Sequence, residues 1–185
     1  MVEESIEIRE LVNRAKNLDA GAFGELYDIY YENIYRYAYF KTGNTIDSED
    51  LASQVFAGAL RTIGNFTWNG STFSSWLFRI AHNVVVDYWR KRGRAVIEPI
   101  EDYAGLAHSD DTAATAIGTL QYEKLQSVLT LLPDDQSRVV VLRFINGLSA
   151  KETADVMGKT VGAIKAQQFR AIGRLKELMA GEIDG

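Results

Sequence analysis

Cysteine is absent from the 185 residues, so the chain has neither a disulfide framework nor a thiolate metal site. Histidine occurs only as His82 and His108, too few for a zinc site. Proline is confined to Pro99 and Pro133. With so few helix breakers and few strand-like runs, the chain reads as all-helical. No apolar run approaches the roughly 20 residues of a membrane span, and the acidic N-terminus is unlike a signal peptide. The expectation is a cytoplasmic protein with no membrane insertion. No His/Asp/Glu cluster has ligand spacing, and no nucleophile stands beside a base. We therefore assign no catalytic residue, no metal and no cofactor, and expect a protein that is not an enzyme.

What is present is an uneven distribution of charge. The net charge of −5 argues at first against a nucleic-acid partner. Residues 1–50, however, carry 11 acids and 5 bases, whereas residues 79–94 hold Arg79, Arg90, Lys91, Arg92 and Arg94 against Asp87 alone. Residues 98–123 then carry six acids and no Lys or Arg. Two basic patches separated by acidic stretches fit two DNA contacts on a chain that avoids binding DNA everywhere.

The second basic patch lies in the stretch from Pro133 to Met179, around which the chain is organised. Pro133, Asp134 and Asp135 start a helix, and Asn146-Gly147 stops it. Ser149 and Glu152 have capping-box spacing, opening a short helix, Ala150 to Met157, that ends at Gly158. Thr160 can cap a third helix with Val161, Ile164, Ile172 and Leu175 along one side, and with Lys165, Arg170, Arg174 and Lys176 against Glu177. A short helix, a glycine turn and a longer basic helix make a helix-turn-helix, with small Ala154 at the crossing. An ordinary bundle cap with a solvated basic face is the bland alternative. Capping, small-residue placement and charge together favour DNA binding.

The N-terminal half reads as four helices. A weak one covers residues 3–17, and a tyrosine-rich one follows Asp19, its aromatics suited to a core. A third begins at Asp47 or Ser48, where Asp47, Glu49 and Asp50 complement the helix dipole. After the loop Asn65 to Ser71, a helix runs from Thr72 to Arg92, with Phe73 and Trp76 inward and its terminal cations outward. Aromatics beside such cations can stack unpaired bases while Arg and Lys hold phosphates. The fold class is all-α: two small helical domains, 5–94 and 118–181, on a flexible acidic linker, 95–117. The residues alone leave open a stand-alone helix-turn-helix regulator with an N-terminal sensing or partner domain.

Four passages, DSEDLASQVF from Asp47, TFSSWLFRIAHNVVVDYWRKR from Thr72, LLPDDQSRVVVLRFING from Leu131 and LSAKETADVMGKTVGAIKAQQFRA from Leu148, follow in this order. In that order the chain resembles the extracytoplasmic-function (ECF) group of bacterial sigma-70-type sigma factors, over about Asp19 to Leu178. The resemblance implies region 2 in the first domain and region 4 in the second. It implies a sigma factor that binds core RNA polymerase through the β′ clamp helices and the β flap. Region 2 would recognise and melt the −10 element, and region 4 would read the −35 element in the major groove. Carried over, Asp50, Leu51, Gln54 and Phe56 fall in the polymerase-binding stretch, where Ser53-Gln54 replaces the family's usual Gln-Glu. Asn69, Ser71, Thr72, Arg79 and Asn83 match the part that captures a flipped −10 base. Tyr88, Arg90, Lys91 and Arg92 match the adjoining backbone contacts. Lys165, Gln167, Phe169 and Arg170 match −35-contacting positions, with Arg174 on the same helix. Thr160 and the helix N-terminus are suited to hold a phosphate. An anti-sigma factor that clamps the two domains is a further expected partner.

Overall fold

The computed structural model describes residues 5–93 and 125–181. The acidic linker, with His108, lies outside them. Helix α1 (Ile6–Lys16) starts where the Ser5 hydroxyl accepts from the Ile8 N–H. Helix α2 (Ala20–Thr42) starts at Asp19, whose carboxylate accepts from the Ala22 N–H, and ends at Gly43. Helix α3 (Thr45–Thr62) begins earlier than Asp47 or Ser48. Asn44 is its N-cap, and its side-chain oxygen accepts from the Asp47 N–H at 2.9 Å. Helix α4 (Phe73–Lys91) starts one residue later than Thr72, which is its N-cap and whose hydroxyl accepts from the Ser75 N–H.

The C-terminal group opens with helical residues 125–130. Helix α5 (Asp134–Val140) has Pro133 at its cap position rather than inside the first turn, and it widens into a π-helical turn, Val141–Ile145. Helices α6 (Ala150–Met157) and α7 (Val161–Gly181) follow. The wide turn shifts the phase of the apolar run: Val141 and Leu142 point inward, and Phe144 is left exposed. Leu131, in the bend after the first helical stretch, is exposed as well.

The core is continuous across both groups. Leu26, Ile34 and Tyr37 of α2 are fully buried among Leu51 and Val55 of α3 and Leu77 and Phe78 of α4. Leu129, Leu132 and Val140 to Leu142 of the second group join the same cluster. Each such side chain contributes roughly 1.5–3 kcal/mol of burial free energy. The second group adds a small core of its own, Val139, Ala154 and Ile164, which places Ala154 at the helix crossing.

Polar contacts cross the same boundary. Lys41 pairs with Asp134 at 3.0 Å, and Gln126 donates to the Tyr39 carbonyl. Arg138 lies 3.1 Å from His82 Nε2, and the Tyr37 hydroxyl lies 3.5 Å from Nδ1. A guanidinium only donates, so Nε2 must accept and the imidazole proton belongs on Nδ1. Burial, with Arg138 and Lys41 nearby and Asp134 opposing them, pushes the His82 pKa down to about 4. The unfolded chain therefore binds a proton that the folded chain refuses between pH 6.5 and 4. His82 contributes stability that is fully present above about pH 6.5 and lost as the pH falls toward 4. Urea midpoints measured across this range should drop with pH, and His82→Gln, which keeps an acceptor for Arg138, should flatten that dependence.

Candidate nucleic-acid interface

In the second group the local sequence builds a helix-turn-helix. The Ser149 hydroxyl accepts from the Glu152 N–H at 3.1 Å while the Glu152 carboxylate accepts from the Ser149 N–H at 2.8 Å. Gly158 ends α6 in the left-handed region at φ +62. The Thr160 hydroxyl accepts from the Ala163 N–H at 3.2 Å and opens α7. Lys159 is tied to Asp135 at 2.7 Å. Arg143 donates to Gln168 and to the Leu148 carbonyl, fixing α7 against the end of α5. On this support one side of α7 faces solvent with Lys165, Phe169, Arg170 and Arg174, and Gln167 is half-buried. Phe169 is 81% exposed. An aromatic side chain there, among three cations, contributes nothing to the core. The face holds donors for phosphate and base edges and an apolar group of the kind that contacts a thymine methyl.

The first group carries a second polar surface around the N-terminus and outer side of α4. The Asn69-Gly70 turn presents Asn69 to solvent, while Phe66 packs beneath it against Trp68, Phe73 and Trp76. Arg79 and Asn83 are exposed along α4. Asn83 lines a groove with Gln54, Arg61 and Asp87, floored by Gly58, Ile80 and Val84. A Cβ on Gly58 would meet the Ile80 side chain at 3.3 Å, so glycine lets α3 and α4 approach here. At the end of α4, Arg90 and Lys91 are exposed. Tyr88 and Arg92 turn to α3 instead: the Tyr88 hydroxyl donates to Asp47 at 2.7 Å, and Arg92 pairs with the same carboxylate at 3.2 Å. Burial and that hydrogen bond hold the Tyr88 hydroxyl firmly protonated.

The four residues matched to polymerase binding divide by burial. Leu51 and Phe56 are core, and Asp50 and Gln54 are exposed and hydrogen-bonded to each other at 2.7 Å. Thr72 is also buried, and its hydroxyl donates to Glu152 of α6 at 2.7 Å. Beside it Ser71 lies 3.4 Å from Asp155. The first helix of the helix-turn-helix thus covers the base of the α4 loop, while α7 keeps its basic face open. Nothing in the sequence marks the Thr72–Glu152 pair, whose members stand 80 positions apart. Among the described residues no group of three or more His, Cys, Asp or Glu is placed to hold a metal ion. No helix there is long and apolar enough to cross a membrane.

Residues 26–95 match the family described as Sigma-70 region 2, and residues 122–175 match Sigma-70, region 4. The chain is 40% identical over 177 residues to the ECF RNA polymerase sigma factor BldN of Streptomyces coelicolor, a match covering 95% of this chain and 67% of BldN. It is 30% identical over 179 residues to the ECF sigma factor SigW of Bacillus subtilis, covering 92% of this chain and 95% of SigW. Two solved structures share the fold at 24% identity. CnrH, in complex with the cytosolic domain of CnrY, has a TM-score of 0.75 over 95% of this chain and 98% of its own. RpoE of Bartonella quintana, in complex with the anti-sigma factor NepR, has a TM-score of 0.69 over 85% and 96%.

Replacing Gly158 by alanine puts a Cβ into a left-handed residue, at a cost of about 1–2 kcal/mol. The urea midpoint of Gly158→Ala should fall accordingly, with no change in far-ultraviolet helix content under native conditions.

Proposed function

The chain belongs to the ECF group of RNA polymerase sigma factors, and on that premise we propose how its residues divide promoter recognition. It is a promoter-specificity subunit, and the stand-alone regulator reading is not favoured. Our reading gives residues 5–94 to core-polymerase and −10 binding and residues 118–181 to the −35 element. We read the chain as a non-enzymatic, cytoplasmic initiation factor.

The observation that carries the −35 assignment is the solvent side of α7, where Lys165, Phe169, Arg170 and Arg174 are all exposed on a helix held by a capped turn. A helix so presented enters a major groove, with Arg and Lys at base edges and phosphates and Phe169 against an apolar edge. Thr160 and the first turn of α7 lie where a phosphate would sit. For the −10 element we assign base capture to Asn69, Ser71, Thr72, Arg79 and Asn83, and backbone contact to Arg90 and Lys91. Holding an unpaired base offsets the few kcal/mol of unstacking that melting costs. Asp50 and Gln54 are our candidates for direct contact with the β′ clamp helices, and Leu51 and Phe56 hold that helix in place from the core. Region 4 would also meet the β flap.

Ser71 and Thr72 lie against α6, so base capture requires the two groups to part. The same junction offers an anti-sigma partner a way to hold the chain shut; CnrH and RpoE, which share the fold, were solved in complex with CnrY and with the anti-sigma factor NepR. The chain contains no cysteine, so Ser71→Cys with Asp155→Cys would introduce its only thiols. Oxidation of that double variant should abolish run-off transcription with core polymerase, and reduction should restore it. Full activity of the cross-linked protein would refute the need for opening.

The primary test is run-off transcription from a pool of host promoter fragments, with core polymerase alone and with this protein added. Discrete new transcripts are expected. Arg170→Ala should weaken −35-dependent transcription by about 1–3 kcal/mol, roughly fivefold to 150-fold, with core-polymerase binding intact. Equal loss of both would make Arg170 a structural residue.

A further inference from the structure

Asp47 occupies a place that the assignments above leave unexplained. It sits in the first turn of α3, with its N–H held by Asn44, beside the C-terminal end of the neighbouring helix α4. One of its carboxylate oxygens takes both the Tyr88 hydroxyl, at 2.7 Å, and Arg92 Nη1, at 3.2 Å. The other lies 3.4 Å from Arg92 Nη2. The guanidinium therefore faces the carboxylate with two nitrogens, the two-point geometry by which arginine also grips a phosphate. It lies over the Tyr88 ring at 4.7 Å, and Trp89 meets that ring edge-on at 5.1 Å. The Asp47 side chain is 22% exposed, against 51% for Arg92. Arg90 differs: its partner Asp87 is on its own helix, and both are largely open to water. Such a surface pair adds little.

We propose that Asp47 acts as an internal substitute for a DNA phosphate. It holds Arg92 and Tyr88 in a clip that orients the end of α4 toward the −10 backbone. Arg90 and Lys91 then contact phosphate, and Arg92 does not. Asp47 is a positioning residue here, acting through Arg92 and Tyr88. The same carboxylate joins this DNA-facing end to the first turn of the helix that carries Asp50 and Gln54, so the two surfaces share one anchor. The proposal rests on the −10 assignment made above, and the experiment separates the two.

Each phosphate neutralised by a protein cation steepens the fall of log affinity with log salt by about 0.9. The measurement is the salt dependence of −10 promoter binding by holoenzyme assembled from the full chain and core polymerase. Arg90→Ala and Lys91→Ala should each make the slope shallower by about one. Arg92→Ala should leave the slope unchanged while lowering transcript yield. Asp47→Asn should steepen the slope by about one, because it releases Arg92 to a phosphate, and adding Arg92→Ala should remove that gain. A merely structural lesion would not increase the number of phosphates engaged. The proposal is overturned if Arg92→Ala flattens the slope as Arg90→Ala does, or if a folded Asp47→Asn protein shows the wild-type slope. Should Asp47→Asn fail to fold, the Arg92→Ala slope alone decides. If neither Arg90→Ala nor Lys91→Ala alters the slope, the −10 assignment itself fails and the proposal falls with it.

Discussion

Burial of helix α2 is the constraint on which the rest of the structure depends. Its side chains are covered from several directions: α1, α3 and α4 pack on it, and the π-helical turn reaches it from the other group. Leu26, Ile34 and Tyr37 lose essentially all contact with water. A helix wrapped so completely needs bulk in many directions, and tyrosine supplies that bulk with a polar tip. Tyr27, Tyr31, Tyr35 and Tyr39 stack along one edge at successive four-residue intervals, with centroid separations of 5.1 to 6.3 Å, and Phe56 of α3 closes onto the first two. Tyr37, on another face, is deeply buried, and its hydroxyl meets His82. The position of α4, and so of every group proposed to touch the −10 element, follows from this packing.

Much of the local architecture was legible in the sequence because caps act over three or four residues. Asp19, Ser149 with Glu152, Gly158 and Thr160 all stand at helix ends, where their side-chain chemistry or backbone freedom implies. The start of α3 was misplaced because two good caps, Asn44 and Asp47, lie three positions apart, and Asn44 captures the N–H of Asp47. Phe169 had no determinate side from periodicity alone, since it adjoins both the apolar stripe and the cations of α7. Its exposure settles that. Long-range pairs left no trace in the sequence. Asp47 read as a dipole complement, and its engagement with Tyr88 and Arg92 more than forty positions away could not be inferred from spacing. Likewise nothing near Arg138 announces His82 as its acceptor.

An acidic protein can bind DNA when its cations are grouped and its acids lie elsewhere or are engaged. The described residues show both devices. On α7 Lys165, Arg170, Arg174 and Lys176 are all exposed, and Glu177 is the acid among them. In α5 the acids of the first turn are paired inward and along the helix, Asp134 with Lys41 and Arg138, and Asp135 with Lys159 and Arg138. Local charge, not the chain's total, determines which surface attracts a phosphate backbone.

Glu152 shows how closely two properties of this chain are joined. One of its oxygens closes the capping box of α6 and the other receives the Thr72 hydroxyl from the opposite group. The two helix N-termini thus share one buried negative charge. A substitution that loosened the junction would also fray the helix that supports α7, and one that reinforced the cap would tighten the junction. Affinity for the −35 duplex and ease of opening are therefore pleiotropic at this position: selection acting on either would alter the other, and adjusting opening alone would require changes at Ser71, Asp155 or Lys41 instead.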